Sequence, residues 1–469
     1  MDAYPSRRAV LTGLGALGAV GALAACGGTA RTPQTAEGRS TGGPGGDLYP
    51  FAEAEKLNAS LTWPASIGEP ASKVVITVAS HWEAAFLPRQ EQFDHFFMRR
   101  HPNIEVRREI TPFAQFLQKY LAQAAGGSLP DIMYSHYSWV SNFVKQGVFL
   151  SVSAYAAKQP GFEREDFTGP SLGYFERGGQ LYGLPYDCGP KLLFYNKDLF
   201  DAAGVAYPTA SWTIEEMLDA AVRLARGKGA EKVFGMAGLP APIADLTPTY
   251  LLAYGGRYLD PTETRCLIDQ PGAVNALRPW FDLLHKHKAV PSAADAEAMK
   301  AEPFSIGRAA MGVHGSWNAP NLAANARFRW AMADMPSGPE GRFTSAVGSG
   351  FAITAGSKAK DAAWIYLNEL TSPAGQIFMW GSTGRGSPSR TSAWPSYLES
   401  KLAPEGAGLL EKALNDYATN DGVIRQPAGP KVVSVATPTW DRMASGRIAV
   451  PEGLRKIRDD VTPVLVENR

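Results

Sequence analysis

Between residues 74 and 134 the chain alternates two kinds of apolar pattern. Val74–Val78, V-V-I-T-V, is a continuous apolar run and predicts a fully buried strand. Phe86, Phe93, Phe96 and Phe97 fall on one side of a helix that His101-Pro102-Asn103 stops. Ile104 and Val106 alternate with charged residues and predict a second strand. Phe113, Phe116, Leu117, Tyr120, Leu121 and Ala124 recur at helical spacing, up to Gly126-Gly127. Pro130-Asp131-Ile132-Met133-Tyr134 predicts a third strand. An order of β-α-β-α-β needs crossover connections, so it predicts a parallel sheet with helices on its faces.

A chain of 469 residues is too long for one ordinary core, so two lobes or more are expected. Tyr182–Phe200 suits a crossing between them. Its first half carries Gly183, Pro185, Gly189 and Pro190, and Leu192–Tyr195 follows as a short buried strand. The local alternative is an ordinary loop entering a strand. Beyond it, Thr213 and Glu216 fit a capping box ahead of an apolar helix face from Ile214 to Ala225. Strands are expected at Val233–Met236 and Trp330–Met335, and 307–311, G-R-A-A-M, reads as a short helix or turn. Gly381–Arg390 is again dense in breakers, and the tail from Leu402 is mainly helical.

Charge is balanced, 46 Lys plus Arg against 45 Asp plus Glu, so no field points to nucleic acid. Aromatic residues make up 10% of the chain, a supply that suits a pocket with flat apolar walls. Of the three cysteines none forms a C-x-x-C pair, and Cys188 and Cys266 read as free buried thiols. At the N-terminus, Arg7 and Arg8 precede an uncharged, Gly-studded run that ends in Leu23-Ala24-Ala25-Cys26. This resembles a bacterial lipoprotein signal with a twin-arginine start, cut before a lipid-modified Cys26. About 17 apolar residues rich in Gly are marginal for a membrane span. Residues 26–72 are expected to be the lipidated Cys and a flexible tether, with part of 47–72 ordered.

Several motifs stand in the order of one family: P-D-I-M-Y (130–134), Y-G-L-P-Y-D (182–187), L-L-F-Y-N-K-D-L-F (192–200), Trp212 with its capped helix, G-R-A-A-M-x-x-x-G-S-W (307–317) and G-S-P-S-R (386–390). Over nearly all of residues 73–469 the chain resembles the extracellular solute-binding proteins of ABC importers, the group that includes maltose-binding protein. The resemblance implies a two-lobed, periplasmic-binding-protein-like α/β fold of type II, with mostly parallel sheets and three hinge crossings. The crossings would lie near Tyr186–Pro190, Asp334–Pro336 and Arg385–Ser389. Lobe one would hold 73–186 and 336–388, and lobe two 190–335 and 390–469. It further implies a sugar or oligosaccharide ligand, permease partners on other chains, a monomer anchored by lipid at the outer membrane face, no cofactor and no metal.

A sugar presents flat C–H faces and rings of hydroxyls, so its site wants aromatic planes with carboxylates, amides or Arg. Trp317 follows Gly315-Ser316 where the family presents a stacking aromatic; its alternative is a core position. Trp82 and Glu83 follow the first strand, at the end where ligands sit in open α/β sheets; Glu83 is otherwise a solvated helix-start residue. Ser135, Tyr137, Ser138 and Trp139 occupy the loop after the third strand, where the related sugar binders place aromatic and acidic residues. Asp131 reads as structural. Tyr186 and Asp187 sit at the first crossing, Gly348 and Ser349 offer backbone N–H groups, and Arg385 lies at the third crossing as a donor or as half of a hinge salt bridge.

His81, His136 and His314 fall in three cleft loops, but no metal-ligand spacing joins them. An anchored polysaccharide-degrading enzyme is the first alternative and a same-fold binder of a chelate or peptide the second. A hydrolase needs paired carboxylates or a nucleophile with its base. Glu163, Glu165 and Asp166 read instead as a solvated face.

Overall fold

The computed structural model describes residues 48–81, 84–168, 171–240, 247–419, 421, 424 and 426–467. The signal segment, Cys26, Trp82 and Glu83 lie outside them.

The first described element falls in 47–72, where part of the chain is expected to be ordered. Helix α1 (Phe51–Ser60) follows a buried Tyr49 and lies on lobe one, with Leu57, Leu61, Trp63 and Ile67 packed on the core. Polar groups hold the strap down: Gln92 donates to the Tyr49 carbonyl at 2.6 Å, Gln159 to that of Ala65 at 2.8 Å and Asn103 to that of Pro70 at 2.9 Å. Composition alone could not show this, because the apolar residues of 48–67 find their partners far along the chain.

The alternation then forms as expected: β1 (Val74–Ser80), α2 (Leu87–Arg100), β2 (Ile104–Ile110), α3 (Phe113–Ala125) and β3 (Ile132–His136). β1 pairs in parallel with both β2 and β3. Asp131 is structural, accepting from the Thr77 N–H and hydroxyl and from Ser357 Oγ at 2.6–2.9 Å. After β4 (Leu184–Pro185) comes the long β5 (Gly189–Asn196), buried throughout. Then follow α4 (Ile214–Leu224), β6 (Phe234–Met236), β7 (Ala309–Gly315), α5 (Ala319–Asn325), β8 (Trp330–Ala333), β9 (Thr344–Val347) and β10 (Ser349–Ile353). α6 (Lys360–Thr371), α7 (Pro373–Met379), β11 (Ala418–Thr419), α8 (Gly429–Ala444) and α9 (Val450–Glu467) complete the set used below. The capping box forms at α4, with Thr213 and Glu216 satisfying each other's backbone N–H.

Two sheets result. The first runs β2-β1-β3-β10-β4 and the second β11-β9-β5-β7-β6, with β8 also on β5. Parallel pairing dominates only in β1–β3. The second sheet is built on β5, and β7, β8 and β9 all run against it. The strict β-α alternation that forces parallel crossovers stops after residue 134, so these neighbours are free to return antiparallel. The expected turn at 307–311 is corrected too: Ala309, Ala310 and Met311 begin β7, buried between β5 and β6. Alanine's helix propensity is small beside burial in the middle of a sheet.

The chain changes sheet at three places. Between Pro185 and Gly189 it passes from β4 to β5. The second passage lies at Val347–Ser349, between β9 and β10, and not at Asp334–Pro336. Residues 334–337 stay with the second lobe: Asp334 accepts from Tyr417 Oη at 2.7 Å, and Ser337 N–H donates to the Trp212 carbonyl. The third lies between Trp380, buried with lobe one, and Trp394, buried with Leu192 and Phe194 of lobe two. Among the described residues no helix is long and apolar enough to cross a membrane.

Candidate functional site

The three passages lie side by side, and Asp187 ties them together. Its Oδ1 accepts the Ser349 N–H of the second passage at 2.6 Å. Its Oδ2 faces Arg385 Nη1 of the third at 3.5 Å. Asp187 also bridges Pro388 as a β-partner, and Cys188 N–H donates to the Ser387 carbonyl. Gly348 allows the close approach: a Cβ there would stand 2.7 Å from the Asp187 carbonyl oxygen. Arg385 thus forms the salt bridge weighed for it at the hinge, and it also lines the cavity described next.

Above the passages, between the lobes, is a cavity of about 330 Å³. Tyr186, Asp187, Trp317, Gly348, Ser349 and Arg385 line it, as do His81, Phe113, Tyr134, His136 and Val347. Trp317 comes from the turn that ends β7 in lobe two, yet its ring packs against the core of lobe one. Gly315 makes room for it, since a Cβ at 315 would lie 1.9 Å from the indole. Lys191 Nζ stands 5.9 Å from the centre of the Trp317 ring. Tyr186 stacks at 4.9 Å on Trp380, which fixes it as a floor. Tyr134 Oη and Ser349 Oγ are 2.9 Å apart.

The loop after β3 is displaced by one residue from expectation. Side chains alternate along a strand, so with Tyr134 and His136 facing the cavity Ser135 faces away. Ser135 Oγ bonds the His136 carbonyl, Tyr137 packs on Tyr174, and Trp139 stacks behind Phe113 and Phe116. Ser135, Tyr137 and Trp139 are thus not cavity-lining. His314 lies apart, half-buried in lobe two against Phe194 and Phe304. No metal-binding group of His, Cys, Asp and Glu exists among the described residues. Phe113 and Tyr134 were legible only as helix-face and strand residues; the phase of β3 is the signal that would have found Tyr134.

Burial, then the charge of Arg385, then His136 bring the pKa of His81 down to about 3. At neutral pH its imidazole is therefore uncharged, one donor and one acceptor at the cavity wall. Burial, with Asp187 beside it, pushes the Cys188 thiol up to about 12, and both Cys188 and Cys266 are free. Asp166 is not solvated as read: it accepts from Ser392 N–H and Oγ at 2.8 Å and lies 3.6 Å from Arg390. The lobes also meet at the rim, where Asn142 Nδ2 donates across to the Pro427 carbonyl at 3.2 Å.

The model of one family, the bacterial extracellular solute-binding proteins, matches residues 77–377. This chain belongs to that family. Among its relatives is a binding protein of Brucella abortus, 28% identical over 305 residues, which span 64% of this chain and 72% of that one. Another is the maltodextrin-binding protein MdxE of Bacillus subtilis, 25% identical over 223 residues, 46% of this chain and 49% of that one. Among solved structures, an ABC substrate-binding protein of Listeria monocytogenes in complex with cycloalternan superposes with a TM-score of 0.77 at 22% identity, covering 84% of this chain and 100% of that one. The family is extracellular and binds solutes, and the fold is its two-lobed one.

Proposed function

We propose that the chain captures a sugar or oligosaccharide between its lobes and delivers it to the permease of an ABC importer. The observation that carries this reading is the make-up of the cavity wall. Rings of Phe113, Tyr134, Tyr186 and Trp317 surround a charge-balanced Asp187–Arg385 pair and an uncharged His81. Such a wall offers planes for C–H faces and fixed donors and acceptors for hydroxyls. Maltodextrin and cycloalternan, the ligands of two similar proteins, belong to the same chemical class. In this reading the chain binds and does not catalyse, acts as a monomer, and is held at the extracellular face of the cell membrane by lipid on Cys26 after export by the Sec or twin-arginine route and loss of residues 1–25. Closure of the lobes about the ligand is hinge motion through the three passages.

A thermal-shift screen with sugars, sugar acids, peptides and metal chelates tests it. A neutral sugar at about 100 times its dissociation constant is expected to add about 2.7 kcal/mol of stability. Trp317→Ala is expected to weaken that sugar by about 1–3 kcal/mol in titration calorimetry. Stabilisation by peptides or chelates alone would remove the carbohydrate reading, and an unchanged titration would remove Trp317 from the site.

A further inference from the structure

Among the described residues Phe113 is the one cavity-lining ring that is also exposed: 46% of its surface faces solvent, whereas Tyr134 and Tyr186 are buried. It therefore stands at the mouth. A large apolar ring left in water costs stability, and nothing in the folding of α3 requires it. Phe116 and Tyr120 already bury the helix face, and Phe113 is only the first residue after Pro112. The ring is nevertheless held in place. Trp139 stacks behind it at 5.1 Å and 27°, and is itself stacked on Phe116 at 6.0 Å and 14°. His136 meets it edge-on at 5.7 Å and His81 lies 5.2 Å away. A buttressed aromatic with one open face is a preorganised stacking platform. Three residues earlier, at the end of β2, Ile110 is also 45% exposed. The cavity, at about 330 Å³, is at the lower end of ligand-pocket sizes.

We infer that the binding site continues out of the cavity onto the open face of Phe113, which stacks a second sugar ring, so that the ligand has two or more linked rings. This rests on the carbohydrate reading above and narrows it to oligosaccharides. The enclosed part holds one end of the ligand, and Phe113 reads its length.

The test is titration calorimetry of the full chain in detergent with two named series: glucose, maltose and maltotriose, and xylose, xylobiose and xylotriose. In one series, affinity is expected to rise about fivefold to tenfold from one ring to two, the range of a single aromatic stacking contact. Phe113→Ala is expected to abolish that gain, and Phe113→Tyr to retain it. The exposed position makes the alanine variant tolerable to the fold, and its unchanged melting temperature checks this. Equal affinity for one and two rings, or an equal loss in Phe113→Ala for every length, would overturn the second ring subsite and leave the carbohydrate reading standing. Absence of binding by both series overturns both.

Discussion

Asp187 concentrates what a single residue does here. One carboxylate receives an N–H from the second passage and faces a guanidinium from the third, while its backbone belongs to the first. Asp187→Ala leaves Arg385, which is 2% exposed, and the Ser349 N–H without that partner. Removing the carboxylate that a buried charge and a buried donor both face is expected to cost about 3 kcal/mol in urea unfolding and to weaken ligand binding as well. Asp187→Asn keeps an acceptor for Ser349 and is expected to cost clearly less. Equal stability of all three proteins would mean that the passages are joined by other contacts. The residues around Asp187 were legible because breakers and a lone acid mark 182–190. Ser135, Tyr137 and Trp139 were misplaced because a loop's composition does not carry the phase of the strand before it.

At the scale of elements, the strap over lobe one has a titratable fastening. His101, stacked on Phe97, puts Nε2 2.6 Å from Glu369 Oε1, while Nδ1 is bonded to Glu69 of the strap. Arg100 holds the other oxygen of Glu369 at 2.7 Å, donates to Asn58 of α1 at 2.6 Å and lies over Trp63 at 3.7 Å. Burial works against a charged His101, but the bonds and charges of Glu369 and Glu69 outweigh it and raise its pKa above the ordinary 6.5. A raised folded pKa means that protonation stabilises the fold. That contribution is fully present below pH 6.5 and is lost as pH rises through the folded value. The melting temperature is expected to fall across that window, and to fall less in His101→Gln. A parallel decline in both proteins would show that His101 is not the group responsible. His101→Ala is expected to cost about 3 kcal/mol at pH 6, since Glu369 is buried and keeps only Arg100.

At the scale of the molecule, two lobes each carry their own core and share a seam made by three adjacent passages. The proposed anchor belongs to this scale, because a lipid on Cys26 would decide where the whole molecule works. Cys26→Ala is expected to abolish incorporation of radiolabelled fatty acid and to release the protein from the membrane fraction. Label retained by that variant would place the lipid elsewhere.

What the sequence determined by itself is what short-range physics sets. Periodicity marked β1 to β3 with α2 and α3, capping chemistry marked α4, and breakers marked the first and third passages, because each depends on residues a few positions apart. Tertiary structure alone decided the docking of the strap, the second passage at Val347–Ser349, the antiparallel build around β5 and which rings face the cavity. Those outcomes rest on contacts between residues tens to hundreds of positions apart. Their energies come from burial and pairing that no local window of sequence contains.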